Sequence, residues 1–171
     1  RNIITSYKNF EKMNYDKALK HMANSQAFLF DKKKFENKFG FKGYEPIMSW
    51  SENYKSWVHN KLNIPVCLIK YEDMIKNTLE ELKKIIKFIA KIQKVKNFKF
   101  DDEKGKKAVD QSSFQSLSAL ESLEGFSEAR EGRKFFHLGE QNDYRKILPS
   151  DIKKSIEKNF LKEMLELEYI D

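Results

Sequence analysis

The stretch from Ser49 to Met74, SWSENYKSWVHNKLNIPVCLIKYEDM, constrains the fold more than any other part of this chain. It reads as an aromatic-rich helix, a turn marked by proline and one short apolar strand. The strand, Val66-Cys67-Leu68-Ile69, ends abruptly in Lys70-Tyr71-Glu72-Asp73. A continuous apolar run of this kind suits a strand buried on both faces, as in a parallel sheet. In open α/β sheets ligands bind just beyond the carboxyl ends of the strands, which puts Tyr71 and its neighbours where a nucleotide is expected. No second convincing strand follows, so the remainder is expected to be mostly helical.

At 171 residues, a single domain is the default expectation. The chain is 40% hydrophobic and 35% charged, with 6 Gly and 3 Pro, a globular rather than disordered composition. Its net charge of +7 favours anionic partners such as nucleotides, phosphate or sulfate groups, nucleic acid or acidic lipid. The same excess also fits an ordinary solvated Lys/Glu surface. The lone Cys67 lies inside the apolar strand and excludes an intrachain disulfide framework. No apolar run approaches the length of a membrane span and no secretory signal is present, so a cytoplasmic setting is expected. The chain opens on Arg1-Asn2 and moves at once into Ile3-Ile4, and is read as a segment whose N-terminal part is absent.

Helical spacing is expected over Asn2–Met13 through Ile3, Ile4, Tyr7 and Phe10, and over Asp16–Asn24 through Leu19, Met22 and Ala23. Residues 28–43 are aromatic and basic, broken by Gly40 and Gly43, and read as a helix or an ordered connection. Pro46 opens a helix over Met48–Lys61 with Trp50, Tyr54, Trp57 and Val58 on one face. Thr78-Leu79-Glu80-Glu81 matches a capping box and opens the best-defined helix, Leu79 to about Lys91. Leu79, Leu82, Ile85, Ile86 and Ile89 form its apolar face. Lys94–Lys107 reads as a charged connection. A short helix through Leu123 stops at Gly125. Residues 132–145 read as a loop. Pro149-Ser150-Asp151 opens a final helix with Ile152, Ile156, Phe160, Met164 and Leu167 on one face.

Four clusters are chemically suggestive. Ser6, near the start of the first helix, suits phosphate binding or is an ordinary surface serine. Tyr71 can contact a base or cover the edge of the core, while Glu72 and Asp73 suit capping of the next turn. Ser112-Ser113-Phe114 sets hydroxyls at a helix start beside a ring, which suits a purine nucleotide or a capped helix with Phe114 in the core. Phe136-His137-Leu138-Gly139 lies between Arg133-Lys134 and Arg145-Lys146, and a backbone loop in a basic setting can cradle an anion. His21, His59 and His137 fall in separate elements and have no metal-ligand spacing, so no metal is expected. No Ser-His-Asp arrangement emerges either.

Taken in order, these segments resemble the sulfotransferases that use 3′-phosphoadenosine 5′-phosphosulfate (PAPS), from Asn2 to about Leu167. Asn2-Ile3-Ile4-Thr5-Ser6-Tyr7 resembles the end of that family's 3′-phosphate segment. Ser49-Trp50 through Trp57 resembles its Trp-containing helix, and Ile69-Lys70-Tyr71-Glu72-Asp73-Met74 its strand ending in Tyr-Glu-Asp. Ser112-Ser113-Phe114 is similar to its Thr/Ser-Ser-Phe element. Phe135-Phe136-His137-Leu138-Gly139, with Asn142-Asp143-Tyr144-Arg145, resembles its Phe-x-Arg-Lys-Gly…Gly-Asp-Trp-Lys segment. Here His137-Leu138 stands where the family has Arg-Lys, which reduces charge, and Tyr144 stands where it usually has Trp. Arg133, Lys134 and Arg145 are the candidates to compensate. Arg1 better matches a variable basic position than the family's 3′-phosphate Arg, which normally lies slightly further upstream.

The resemblance implies an α/β fold: the C-terminal part of a P-loop-type sulfotransferase domain, mostly helical with one clear parallel strand near 65–71. Residues 1–171 would be a single partial domain. It implies PAPS as cofactor and adenosine 3′,5′-bisphosphate as product. Ser6 would contact the 3′-phosphate, and Tyr71, Ser112 and Phe114 the adenine. Gly139, with His137 and Leu138 before it, would close on the 3′-phosphate. Trp50, Tyr54 and Trp57 would support the acceptor side or the core. The partners implied are the nucleotide and a small-molecule hydroxyl or amine acceptor, with no nucleic acid and no membrane in this segment, and homodimerisation is left open. The family's Lys-bearing 5′-phosphosulfate loop and its His base lie upstream of the matching segment, so no catalytic residue is assigned and the segment alone is expected to be inactive. The alternative is a non-enzymatic, basic helical module that docks nucleic acid or a protein partner through the Lys- and Phe-rich residues 28–42.

Overall fold

The computed structural model describes residues 1–10, 12–30, 44–60, 62–127, 129, 133–139 and 142–170. In chain order its elements are α1 (Ile3–Phe10), α2 (Tyr15–Met22), β1 (Phe28–Phe30), β2 (Tyr44–Pro46), α3 (Trp50–Val58), α4 (Tyr71–Lys76), α5 (Thr78–Ile92), α6 (Asp102–Gln111), α7 (Phe114–Glu124), α8 (Tyr144–Ile147), α9 (Ser150–Asn159) and α10 (Leu161–Glu166). The described chain is therefore mostly helical. It divides into two compact units, Arg1–Asn60 with Glu140–Asp171, and Lys61–Gly139.

The first unit is built around the expected C-terminal apolar row. Ile152, Ile156, Phe160 and Met164 recur every four residues and are all buried, with Leu167 behind them. At Phe160 the backbone leaves helical geometry (φ −121°, ψ 24°) and divides the helix into α9 and α10, yet the row of side chains continues through the break. Ile4 of α1, Ala18 and Leu19 of α2, and Leu148 pack into the same cluster. Burying each large aliphatic or aromatic side chain is worth about 1.5–3 kcal/mol. α2 starts where Asn14 caps it, the Asn14 side chain accepting from the Lys17 N–H at 2.9 Å. β1 and β2 pair antiparallel, with Leu29 opposite Glu45. α3 begins at a reciprocal capping box: the Ser49 hydroxyl accepts from the Glu52 N–H, and the Glu52 carboxylate accepts from the Ser49 N–H.

The second unit runs from α4 to the loop before Gly139. α5 lays Leu79, Leu82, Ile85 and Ile86 half-buried on one face, as the spacing predicts, but Ile89 of the same row is 42% exposed. α6 packs on α5 where Gly105 lets the Phe100 ring and Leu79 come close. α7 ends at Gly125, whose φ of +76° is the conformation glycine adopts without strain.

Four expectations are corrected. The parallel strand near 65–71 is not formed: residues 63–70 belong to no strand, and Tyr71 begins α4 with Lys70 at its N-cap. A strand satisfies its backbone only through neighbouring strands. Among the described residues the sheet consists of β1 and β2 alone, so the apolar run has no ladder to join. The Thr78–Glu81 capping box is also absent. Thr78 is already inside α5 and donates its hydroxyl to the Met74 carbonyl, while Glu81 pairs with Lys84. The charged connection of 94–107 instead contains the start of α6, capped by Asp101 accepting from the Lys104 N–H at 3.0 Å. Finally, of the stretch read as a helix or an ordered connection, residues 28–30 form a strand, and 31–43 lie outside the described residues.

Candidate functional site

In the second unit the residues singled out by sequence converge on α7. Ser113 is its N-cap, accepting from the Ser116 N–H at 3.3 Å. Ser112 ends α6 and donates its hydroxyl back to the Ala108 carbonyl, so its proton serves the preceding helix. Phe114, at the first position of α7, is 39% exposed. Its ring lies against Gly139: a Cβ on Gly139 would stand 2.8 Å from two of its carbons. Gly139 has φ +52°, so both its conformation and its missing side chain are required there. Phe136 meets Phe114 edge-on, with centroids 6.3 Å apart, and continues into a cluster with Phe126 and Phe135.

The loop carrying His137, Leu138 and Gly139 is fastened to the same helix. Glu121, 8% exposed, accepts from the Phe135 N–H at 2.6 Å through Oε1 and from the Phe136 N–H at 3.0 Å through Oε2. Lys134 Nζ donates to the Ser122 hydroxyl at 3.0 Å. His137 is exposed, its Nδ1 3.3 Å from the Phe135 carbonyl, and Leu138 is half-buried. Tyr71 is 40% exposed. Among the described residues it forms no hydrogen bond or ring contact with Ser112 or Phe114, so the structure brings Phe114 and Gly139 together but does not join Tyr71 to them.

In the first unit two further motif segments meet. Asn2 accepts from the Tyr144 N–H at 2.9 Å, and the Thr5 hydroxyl lies within hydrogen-bond distance of the Asn142 side chain. Arg1 donates to the Tyr144 hydroxyl at 2.9 Å, pairs with Glu157 at 2.9 Å, and sets its guanidinium 4.9 Å from the Tyr144 ring centre. Arg145 covers the same ring at 5.2 Å. Ser6 is exposed within α1. The segments Asn2–Tyr7 and Asn142–Arg145, far apart in sequence, are thus one local structure.

The aromatic face of α3 divides. Trp50 packs edge-on against Phe160 at 5.3 Å and stacks on Tyr54, a core position, whereas Trp57 is 64% exposed. Beside them Glu163 is buried and paired with Lys55 at 2.6 Å. Burial pushes its carboxyl up, but hydrogen bonds from Lys55, its own backbone N–H and Ser51 outweigh that and hold it below the ordinary value. Glu166 is held low chiefly by the hydrogen bond from His59, at 2.6 Å; burial opposes this, and the Tyr54 hydroxyl assists.

Sequence reasoning passed over Glu121 and the Ser49–Glu52 box. The signal for the first was spacing: Phe114, Ser118 and Glu121 stand four and then three residues apart, on one face of α7. Among the described residues no cluster of His, Cys, Asp or Glu could hold a metal ion, and no helix is long and apolar enough to cross a membrane. The model of the sulfotransferase domain family matches residues 1–168. No solved structure matches the chain.

Proposed function

The chain belongs to the sulfotransferase domain family, and from that premise we propose that it supplies the adenine and 3′-phosphate side of a PAPS site in a sulfuryl transferase acting on a hydroxyl or amine acceptor. Residues 1–171 are read as part of one sulfotransferase domain of the P-loop-type α/β class. The Phe114 ring, with Tyr71 and Ser112, would hold the adenine. The loop His137-Leu138-Gly139 would meet the 3′-phosphate, and for Ser6, in the other unit, the family resemblance implies a 3′-phosphate role of its own. PAPS itself supplies the activated sulfuryl group.

The observation that supports this reading is the seating of the Phe114 ring on the Gly139 backbone, which joins two motifs 25 positions apart. A half-exposed ring beside a loop glycine of positive φ offers a stacking face next to main-chain N–H groups, a combination that fits a purine bearing a phosphate. Among the 171 residues no segment resembles the family's Lys-bearing 5′-phosphosulfate loop. The chain is accordingly expected to bind nucleotide without transferring sulfate.

Calorimetric titration with adenosine 3′,5′-bisphosphate tests the reading. Saturable binding is expected, weakened about tenfold or more in Phe114→Ala, since an aromatic stacked on a base contributes about 1–3 kcal/mol. Tyr71→Ala should also weaken it. Rapid PAPS-dependent turnover by this chain alone would refute the expected inactivity. Binding of single-stranded oligonucleotide alone, falling steeply with salt, would instead favour the basic module at residues 28–42, most of which lie outside the described residues.

A further inference from the structure

One face of α7 is organised to hold the loop that follows it. Phe114, Ser118, Glu121 and Ser122 stand at i, i+4, i+7 and i+8, so they share a side of the helix. Each touches the loop: Phe114 at Gly139, Ser118 by its hydroxyl to the Phe136 carbonyl at 3.5 Å, Glu121 at the two N–H groups, and Ser122 at Lys134. The buried carboxylate is the firmest of these. Two successive main-chain N–H groups converge on it, and among the described residues it has no Lys or Arg partner. A carboxylate that accepts two N–H bonds is stabilised by them and fixes the geometry of their donors.

Two successive amides of this kind are the usual cradle for an external anion. Here Glu121 already fills it. A phosphate arriving at the loop would find the Phe135 and Phe136 N–H groups taken. The main-chain N–H groups of Leu138 and Gly139, beside the Phe114 ring, take part in no hydrogen bond among the described residues.

We infer that Glu121 is a positioning residue of the nucleotide site: it clamps the first half of the loop to α7 and thereby directs the 3′-phosphate to the amides of Leu138 and Gly139. This rests on the nucleotide reading proposed above. Glu121 itself does not touch the ligand.

Glu121→Gln is the primary variant. The amide keeps one acceptor, but its NH2 group faces the second N–H and breaks that bond. Three readouts on the whole chain decide the matter: the Phe135 and Phe136 amide shifts and exchange rates by NMR, the affinity for adenosine 3′,5′-bisphosphate, and the melting temperature. The expected result is displaced, faster-exchanging amides at 135 and 136, an affinity about tenfold lower or more, and a melting temperature lower by several degrees, because a buried N–H loses its acceptor. Glu124→Gln, an exposed site on the same helix, removes the same charge and should change none of these. Glu121→Asp keeps the charge, shortens the reach, and gives the same reading should the Gln variant not fold. Unaltered affinity in a folded Glu121 variant overturns the inference, as does an equal loss in Glu124→Gln. A wild-type chain that binds no nucleotide overturns the nucleotide reading and with it the role in directing phosphate. The amide shifts then show separately whether the clamp exists, and unmoved shifts overturn that too.

Discussion

Gly139 carries two demands at once, conformation and close approach. At φ +52° an alanine meets the left-handed penalty of about 1–2 kcal/mol. Its Cβ would also press on three Phe114 ring atoms within 2.9 Å, and overpacking of this kind costs about 1–3 kcal/mol. Gly139→Ala should therefore displace the ring and lower the affinity for adenosine 3′,5′-bisphosphate by about tenfold or more, measured by calorimetry. Affinity equal to that of the wild type would show that the ring's seat does not shape the site. Glu163 makes a different residue-scale prediction. Its folded value is depressed below the ordinary 4.5, so its contribution to stability is present above that value and is lost as pH falls through the folded one. Thermal melts between about pH 6 and pH 3 should fall more steeply for the wild type than for Glu163→Gln, which has no proton to gain. Parallel curves would remove Glu163 from the acid response.

At the scale of elements, α6 shows how packing can override a weak local pattern. Asp102–Gln111 offers Ala108 and Val109 as its apolar side chains and carries a glycine mid-helix, so periodicity gives no helix there. The glycine is the packing device: a Cβ on Gly105 would stand 2.5 Å from the Phe100 ring and 3.0 Å from Leu79. Gly105→Ala gains about 1 kcal/mol of helix propensity but meets about 1–3 kcal/mol of overpacking, and a net loss of about 1 kcal/mol is expected. That lowers the melting temperature by about 2–4 °C, and a rise on calorimetry would mean the ring yields freely. Elements whose burial follows their own period were legible, as with Ile152, Ile156, Phe160 and Met164. The apolar run at 66–69 misled because an apolar run alone does not reveal whether strand partners exist. At the candidate site Phe114 and Gly139 were recognisable as residue types, but their contact was not. Glu121 stands in a Ser- and Leu-rich helix and was passed over, because the N–H groups from which it accepts belong to a loop that sequence spacing does not place.

For the whole molecule, burial is unevenly distributed, and that fixes where it should open first. In the unit Arg1–Asn60 with Glu140–Asp171, Ile4, Leu148, Ile152, Ile156, Phe160 and Met164 are buried together. In the unit Lys61–Gly139, Ala90 is the buried apolar side chain among the described residues. Among the described residues, fifteen of the twenty exposed large hydrophobics fall in that second unit, among them Leu62, Ile64, Leu68 and Leu123. The free energy of local opening tracks the apolar surface that opening exposes, so amides held by a closed cluster exchange through rarer events. The N–H groups of Phe160 and Met164, bonded to the Ile156 and Phe160 carbonyls, should exchange at least about tenfold more slowly than the Gln93 N–H bonded to Ile89. All three bonds are helical and 2.9–3.0 Å long, so bond length does not separate them; burial does. Hydrogen exchange followed by NMR measures the ratio directly. Equal protection across the three amides would mean that the exposed apolar surface of Lys61–Gly139 is covered in solution, and Leu123→Glu, at its most exposed position, would then lower the Gln93 protection selectively.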